Sequence, residues 1–147
     1  MQEYTIALIK PDAVRRRLVG KILSRIEETG FEISVINVRK FTRLAAEDFY
    51  GRQHKGQPYF PALVDFMVEG PHMRLLLKRE DAISEWRALM GPWKPSERAA
   101  DGARDTIRGY FMEGAETMRN LVHGSDSTES VLHEMQALGW HAGVWGV

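Results

Sequence analysis

Apolar and polar positions follow two different periods along this chain, and the switches between them mark its elements. Tyr4-Thr5-Ile6-Ala7-Leu8-Ile9 is a run of strand formers stopped by Lys10-Pro11-Asp12, where proline has no N–H for a ladder, and it predicts a buried strand. Leu18, Val19, Ile22, Leu23 and Ile26 recur at helical spacing, with Gly30 where a helix needs a left-handed residue to stop. Phe31, Ile33 and Val35 alternate before Ile36 and Val38 continue on the other parity, which predicts a strand over 31–41 covered on both faces.

Thr42 is placed to cap a helix running through Leu44, Phe49 and Tyr50, and Pro61 opens another with Leu63, Val64, Phe66 and Met67. A polar loop, His54 to Pro58, lies between them. Gly70-Pro71 breaks the chain before a strand at Met73–Leu77 and a helix at Ala82–Met90 that Gly91 ends. Residues 92–105 carry no period and read as a long loop, alone or with one short helix. Leu121-Val122 gives a short strand signal, Ser127 a cap, and Val131, Leu132, Met135 and Leu138 one face of a last helix. The uncharged tail from Trp140 to Val147, with two tryptophans, is expected to dock rather than wave in water.

Helices and strands thus interleave throughout. That order predicts an α+β fold, a ferredoxin-like split βαβ antiparallel sheet with additional helices and a C-terminal helix. At 147 residues, the chain is expected to be one domain over 1–147, with 138–147 as its tail.

Composition narrows the function. Twenty Lys+Arg against 20 Asp+Glu leave no net charge, which speaks against a general polyanion binder. Zero cysteines remove disulfides, thiol nucleophiles and cysteine-ligated metals, and suit a reducing cytoplasm. The first residues have no basic flank or apolar run, and no stretch of about 18 apolar residues occurs, so neither secretion nor a membrane span is expected. The P-loop and dinucleotide-binding glycine spellings are absent, as is His-Glu-x-x-His, and the five histidines lack metal-ligand spacing.

The chemistry concentrates at Asn120-Leu121-Val122-His123-Gly124-Ser125-Asp126-Ser127 and the helix that follows. A histidine at the end of a short strand, beside glycine, presents its ring to a cleft as a nucleophile requires. Ser125 and Glu134 are placed to hold the ring, because one nitrogen must be fixed as N–H for the other to offer its lone pair. In a split βαβ sheet the first and last strands are neighbours, so Lys10 is expected near His123, with Arg87 and Arg108 close by. Basic groups around a nucleophilic histidine suit a phosphoryl group. The competing reading makes His123 an ordinary hydrogen-bonded turn residue, Arg87 a solvated helix charge, and Tyr50, Tyr59, Trp86 and Trp93 packing residues. Arg15-Arg16-Arg17 reads as a solvated turn.

Ile9-Lys10-Pro11-Asp12, Phe66-Met67 through Gly70-Pro71, Thr106-Ile107-Arg108-Gly109, and Asn120 to Ser127 with Glu129-Ser130 together resemble the nucleoside diphosphate kinase family. The resemblance runs from about Tyr4 to Leu138, and the Asn-x-x-His-Gly-Ser-Asp-Ser string is highly specific. It implies ping-pong transfer of a γ-phosphoryl group through a phosphohistidine at His123. By matching position it places Lys10 at the phosphates, Arg87 and Arg108 at the β- and γ-phosphates, Asn120 at the sugar hydroxyl and Tyr59 under the base. Tyr50, Ser125 and Glu134 match positions that shape and orient the histidine. Mg²⁺ is implied as a passenger of the nucleotide rather than a resident of its own protein site. The implied partners are nucleoside di- and triphosphates and further copies of the chain, as a dimer, tetramer or hexamer, with no membrane or specific nucleic acid.

Two features depart from the family. Trp93 stands after Gly91-Pro92 where the family usually has a threonine whose hydroxyl helps hold the β-phosphate. Residues 95–105 and 112–119 look longer than in the commonest members, resembling a divergent branch. They leave open a catalytically weak homologue acting as a nucleotide-binding sensor or interaction module. A ferredoxin-like nucleic-acid-binding domain is the third reading, discouraged by the zero net charge and by the lack of an aromatic-basic strand face.

Overall fold

In chain order the elements are β1 (Gln2–Ile9), α1 (Pro11–Arg15), α2 (Val19–Glu28), β2 (Glu32–Arg39), α3 (Arg43–His54), α4 (Phe60–Val68), β3 (His72–Glu80), α5 (Ala82–Met90), α6 (Pro95–Arg98), α7 (Ile107–Phe111), β4 (Val122–Gly124) and α8 (Thr128–Ala137). They come from a computed structural model that describes residues 2–112 and 114–141. The four strands form one antiparallel sheet in the order β2-β3-β1-β4, so the first and third strands are central, as the ferredoxin-like reading expects.

β1 is buried on both faces, and its alternation divides the interior. Ile6 and Leu8 face a core closed by Phe49 and Tyr50 of α3, Phe66 and Met67 of α4, and Val131 and Met135 of α8. Ala7 and Ile9 face the other core, with Ile22 and Ile26 of α2, Trp86 and Met90 of α5, and Ile107 of α7. Burying an aliphatic or aromatic side chain of this kind contributes about 1.5–3 kcal/mol, so the two cores dominate stability.

Three helix ends follow the expected chemistry. Thr42 accepts from Ala45 N–H, Ser127 from Ser130 N–H, and Gly30 stops α2 at φ 86°. Residues 92–105 hold one short helix, α6. Pro11 does more than end a strand, because it opens α1 at N1, where its missing N–H is harmless. α7 carries no long apolar period and was not foreseen; Thr106 caps it through Gly109 N–H.

Other expectations are corrected. The parity change in β2 is a β-bulge between Ile33 and Val35, and it leaves Ile36 and Val38 exposed rather than covered. Leu132 is exposed, since α8 turns Val131, Glu134 and Met135 inward instead. The last strand is Val122–Gly124, so His123 lies in its middle and Leu121 precedes it. Trp140 is buried beside the first core, whereas the rest of the proposed docking tail, 142–147, lies outside the described residues.

Gly124 is where the sheet meets α5 most tightly. A Cβ there would stand 2.6 Å from Trp86 Cδ1 and 2.7 Å from Met90 Cε. Gly124→Ala is therefore expected to destabilise the protein by about 1–3 kcal/mol through overpacking. Urea denaturation measures this, and a midpoint equal to wild type would show that α5 yields freely.

Candidate active site

His123 is gripped from both sides of β4. Its main-chain oxygen accepts the indole N–H of Trp86 at 3.1 Å. Its ring Nε2 lies 2.8 Å from Glu134 Oε1, which also accepts the Ser125 hydroxyl at 2.9 Å. Ser125 Oγ accepts the Ile6 N–H at 3.3 Å, so its own hydrogen points to Glu134. A carboxylate oxygen only accepts, hence the ring proton sits on Nε2 and Nδ1 keeps its lone pair. Among the described residues nothing hydrogen-bonds Nδ1. Phe49 and Tyr50 meet the imidazole edge-on, with centroids at 5.0 and 5.4 Å. The Tyr50 hydroxyl goes to Met67 Sδ rather than to the histidine, and burial raises its phenol well above the ordinary range, so it stays neutral.

The residues ahead of β4 are under constraint. Leu121 has φ 76°, a left-handed conformation a leucine keeps only when its surroundings impose it. Asp12 Oδ2 accepts its N–H at 3.1 Å, and its carbonyl accepts the Lys10 N–H at 2.8 Å. This turn sets the Asn120 side chain against Lys10, whose Nζ donates to Asn120 Oδ1 at 2.8 Å. Burial pushes the Asp12 carboxyl up from its ordinary value. Sequence reading gave Asp12 no role, and the Lys-Pro-Asp spelling was the only signal.

His123, Lys10, Tyr50, Tyr59, Arg87, Arg108 and Asn120 all line one cleft of about 510 Å³. Ser125 and Glu134 stand behind the histidine, buried. Burial, then the charge of Arg108, lowers Lys10 to about 7. Burial, then the charge of Arg87, lowers Arg108 to about 10. Arg108 donates to the carbonyls of Asn120 at 3.1 Å, Gly91 at 3.0 Å and Val122 at 2.8 Å, leaving further N–H groups on its terminal nitrogens for a ligand. The Arg87 guanidinium makes no hydrogen bond to another described residue.

Trp93 is not a packing residue. It is half exposed and lines the cleft, with Lys94 Nζ 5.6 Å above its ring. Trp86, by contrast, is fully buried in packing, as expected. Gln53, His54, Thr117, Met118 and Asp126 also line the cleft, and the sequence reading passed over them. His54 had a findable signal, since it lies four residues after Tyr50 on the same face of α3. Burial lowers His54, and its Nδ1 and the Tyr59 hydroxyl share a hydrogen bond at 2.6 Å. Asp126 takes a hydrogen bond from the Ser130 hydroxyl, which holds its carboxyl below the ordinary range.

The arrangement offers a nucleophilic nitrogen beside crowded cations, with aromatic rings at the margin. Comparison with known proteins agrees. The family model described as "Nucleoside diphosphate kinase" matches residues 3–139. The nucleoside diphosphate kinase of Oleidesulfovibrio alaskensis is 46% identical over 135 residues, 92% of this chain and 92% of that one. That of Mycobacterium marinum is 44% identical over 135 residues, 92% of this chain and 95% of the other. The crystal structure of the Aquifex aeolicus nucleoside diphosphate kinase superposes with TM-score 0.87 at 36% identity, covering 99% of both chains. On these matches across nearly its whole length, and on a fold and cleft of the same kind, the chain belongs to the nucleoside diphosphate kinase family.

Proposed function

We propose that this chain is an active nucleoside diphosphate kinase that works through a phosphohistidine at His123. The observation that carries this reading is the path Ile6 N–H to Ser125 to Glu134 to His123 Nε2, which leaves Nδ1 as the free nucleophile of a cationic cleft. The Nδ1 lone pair attacks the γ-phosphorus of a bound triphosphate. The bond from that phosphorus to the β–γ bridging oxygen breaks, and its electron pair leaves with the diphosphate. Glu134 then faces a ring that has become cationic, and its carboxylate stabilises that charge through Nε2–H. A β-oxygen of a second diphosphate attacks the same phosphorus, and the N–P electron pair returns to Nδ1. Kinetics are ping-pong.

Lys10, Arg87 and Arg108 neutralise the phosphates, Asn120 receives the sugar hydroxyl, and Tyr59 stacks on the base without choosing between bases. Tyr50 confines the imidazole by packing. The cleft fits a nucleotide that brings its own Mg²⁺, because Asp126 is the one carboxylate among its lining residues and the described residues contain no cluster of three metal-ligating side chains. When bound with the nucleotide, Mg²⁺ would supply charge neutralisation at the phosphates, and Asp126 is the lining carboxylate that would help to hold it.

The intact Ser125, Glu134 and His123 arrangement favours catalysis over a nucleotide sensor. A homo-oligomer is supported by the outer strand β2, whose exposed Ile36 and Val38 suit pairing with a second copy. Its substrates and its lack of cysteine fit the cytoplasm. No described helix is long and apolar enough to cross a membrane.

Incubation with Mg²⁺ and γ-labelled ATP is expected to give acid-labile, alkali-stable label on the protein that moves to added GDP. His123→Ala abolishes label and turnover while circular dichroism is unchanged, and wild-type turnover in that variant would refute the mechanism.

Lys10 gives a pH signature. With its value near 7 in the empty cleft, the ammonium is complete below that pH and lost above it, while bound phosphates restore it. ADP affinity is therefore expected to fall from about pH 7 to about pH 9, by up to about ten-fold per unit. Calorimetry at about pH 8 shows proton uptake on binding, and Lys10→Met removes both effects; a flat wild-type profile would contradict this.

Trp93→Thr, which restores a hydroxyl donor near the β-phosphate, is expected to lower the Kd for ADP by about ten-fold, the worth of one hydrogen bond to a charged group. An unchanged or weaker Kd would show that the Gly91-Pro92-Trp93 segment holds phosphate by other means.

A further inference from the structure

One wall of the cleft is a closed circuit of hydrogen bonds, and a single residue outside the cleft completes it. The circuit starts in the 112–119 segment. Glu116 Oε1 accepts the N–H groups of Thr117, Met118 and Arg119 at 3.0, 2.8 and 3.1 Å, and these amides hold its carboxyl below the ordinary range. The turn so formed offers the Met118 carbonyl to Lys10 Nζ at 3.4 Å and the Thr117 carbonyl to Asn120 Nδ2 at 2.9 Å. Asn120 in turn binds Lys10 through Oδ1 and Arg108 through its carbonyl. Arg108 reaches across to the Gly91 carbonyl, which begins the Gly91-Pro92-Trp93 strap.

Arg98, the last residue of α6, closes the remaining gap. Its Nη1 donates to the carbonyls of Trp93 at 3.0 Å and Glu116 at 2.9 Å, and its Nη2 to that of Gly114 at 3.0 Å. The Met112 sulfur lies 3.5 Å from the same Nη1. Arg98 is buried, at 6% exposure, and among the described residues its guanidinium's partners are carbonyl oxygens and that sulfur. A planar fork of fixed donors suits this task, since it spans two chain segments at set angles. Removing it orphans carbonyls of both segments at once and lets strap and turn part.

We propose that Arg98 is a positioning residue for nucleotide binding: by joining the Trp93 carbonyl to the 114–116 main chain it sets the strap, and through the Glu116 turn it sets Lys10 and Asn120. The role matters in this chain because Trp93 has no hydroxyl to anchor the strap through a phosphate, so the main chain must be anchored instead. His123, Ser125 and Glu134 lie outside the circuit, so Arg98 acts on binding and not on transfer. The inference rests on the kinase reading above.

The test is steady-state kinetics of Arg98→Met, Arg98→Lys and Glu116→Ala in the full chain, with ADP binding followed separately by calorimetry. Arg98→Met is expected to raise KM for both nucleotides, and the ADP Kd, by about ten-fold with kcat within about two-fold. Arg98→Lys recovers part of the loss, and Glu116→Ala, at an exposed side chain, shows the same KM effect. Arg104→Ala, whose side chain among the described residues donates to the Ala99 carbonyl alone, is expected to leave KM unchanged. Folded Arg98→Met with wild-type KM and Kd, or with kcat lost at constant KM, overturns the proposal. Should Arg98→Met fail to fold, Arg98→Lys and Glu116→Ala decide, and wild-type KM in both overturns it. Absence of phosphoenzyme in the wild type would instead sink the kinase reading, while ADP calorimetry would still judge Arg98.

Discussion

The position of one proton on His123 governs what this site can do, and a main-chain amide settles it. Ile6 N–H occupies an acceptor site of Ser125, which commits the hydroxyl hydrogen to Glu134 and leaves that oxygen to accept from Nε2. Each link is set by the one before it, because an amide N–H only donates and a carboxylate only accepts. The path also explains why Glu134 is buried on a helix face where sequence pattern puts leucine. Its carboxylate is the price of directing the ring, and the neighbouring Leu132 turns to solvent.

The same interaction leans on an unusually short strand. β4 pairs with β1 through Ala7, Leu8 and Ile9 only, a length that is marginal by itself. Side chains supply what the ladder lacks. Trp86 holds the His123 carbonyl, Arg108 the Val122 carbonyl, and Asp12 the N–H of strained Leu121. Two of the groups proposed to meet phosphate, Lys10 and Arg108, are thus tied to main chain around the strand that carries the nucleophile. Binding and chemistry share a frame, so the phosphates and Nδ1 are placed by the same few bonds.

Much of this was legible in the sequence, for identifiable reasons. The strand–helix order, Thr42 and Ser127 as caps, and Gly30 as a stop are local signals that the packing did not override. The meeting of Lys10 with the His123 segment followed from topology, and Glu134 followed from its distance past the cap. What failed depended on partners distant in sequence. The bulge in β2 was read as two covered faces, because a parity change looks the same in either case. Trp93 was placed in packing first, though the strap holds it at the cleft, where the resemblance also put it. Arg98 gave little sign, since the fold brings Glu116 to it, whereas His54 was passed over although Tyr50 and Tyr59 lie close to it in sequence. The ring of Tyr59 was expected, but not its hydroxyl bond to His54.

Set side by side, the two halves of the site differ in how they are built. The chemical half, His123 with Ser125 and Glu134, hangs on sheet register and on one helix cap, both fixed by the core. The binding half draws on the 92–105 and 114–119 segments, where Arg98 ties the Trp93 carbonyl to those of Gly114 and Glu116, and Glu116 accepts the amides of its own turn. A substitution in those segments displaces donors around a phosphate, whereas the proton on Nε2 does not move. In the proposed mechanism the nucleophile therefore stays as the fold dictates, whatever side chain the loops place at position 93. The crowding of Lys10, Arg87 and Arg108 belongs to the binding half as well. It raises the energy of the empty cleft by holding like charges close, with Lys10 buried and Arg108 half-buried beside it, and in the proposed function a polyphosphate relieves it. Selectivity for anionic ligands is thus stored in the unliganded protein, and in the proposed function the base, stacked at the margin, contributes area rather than identity.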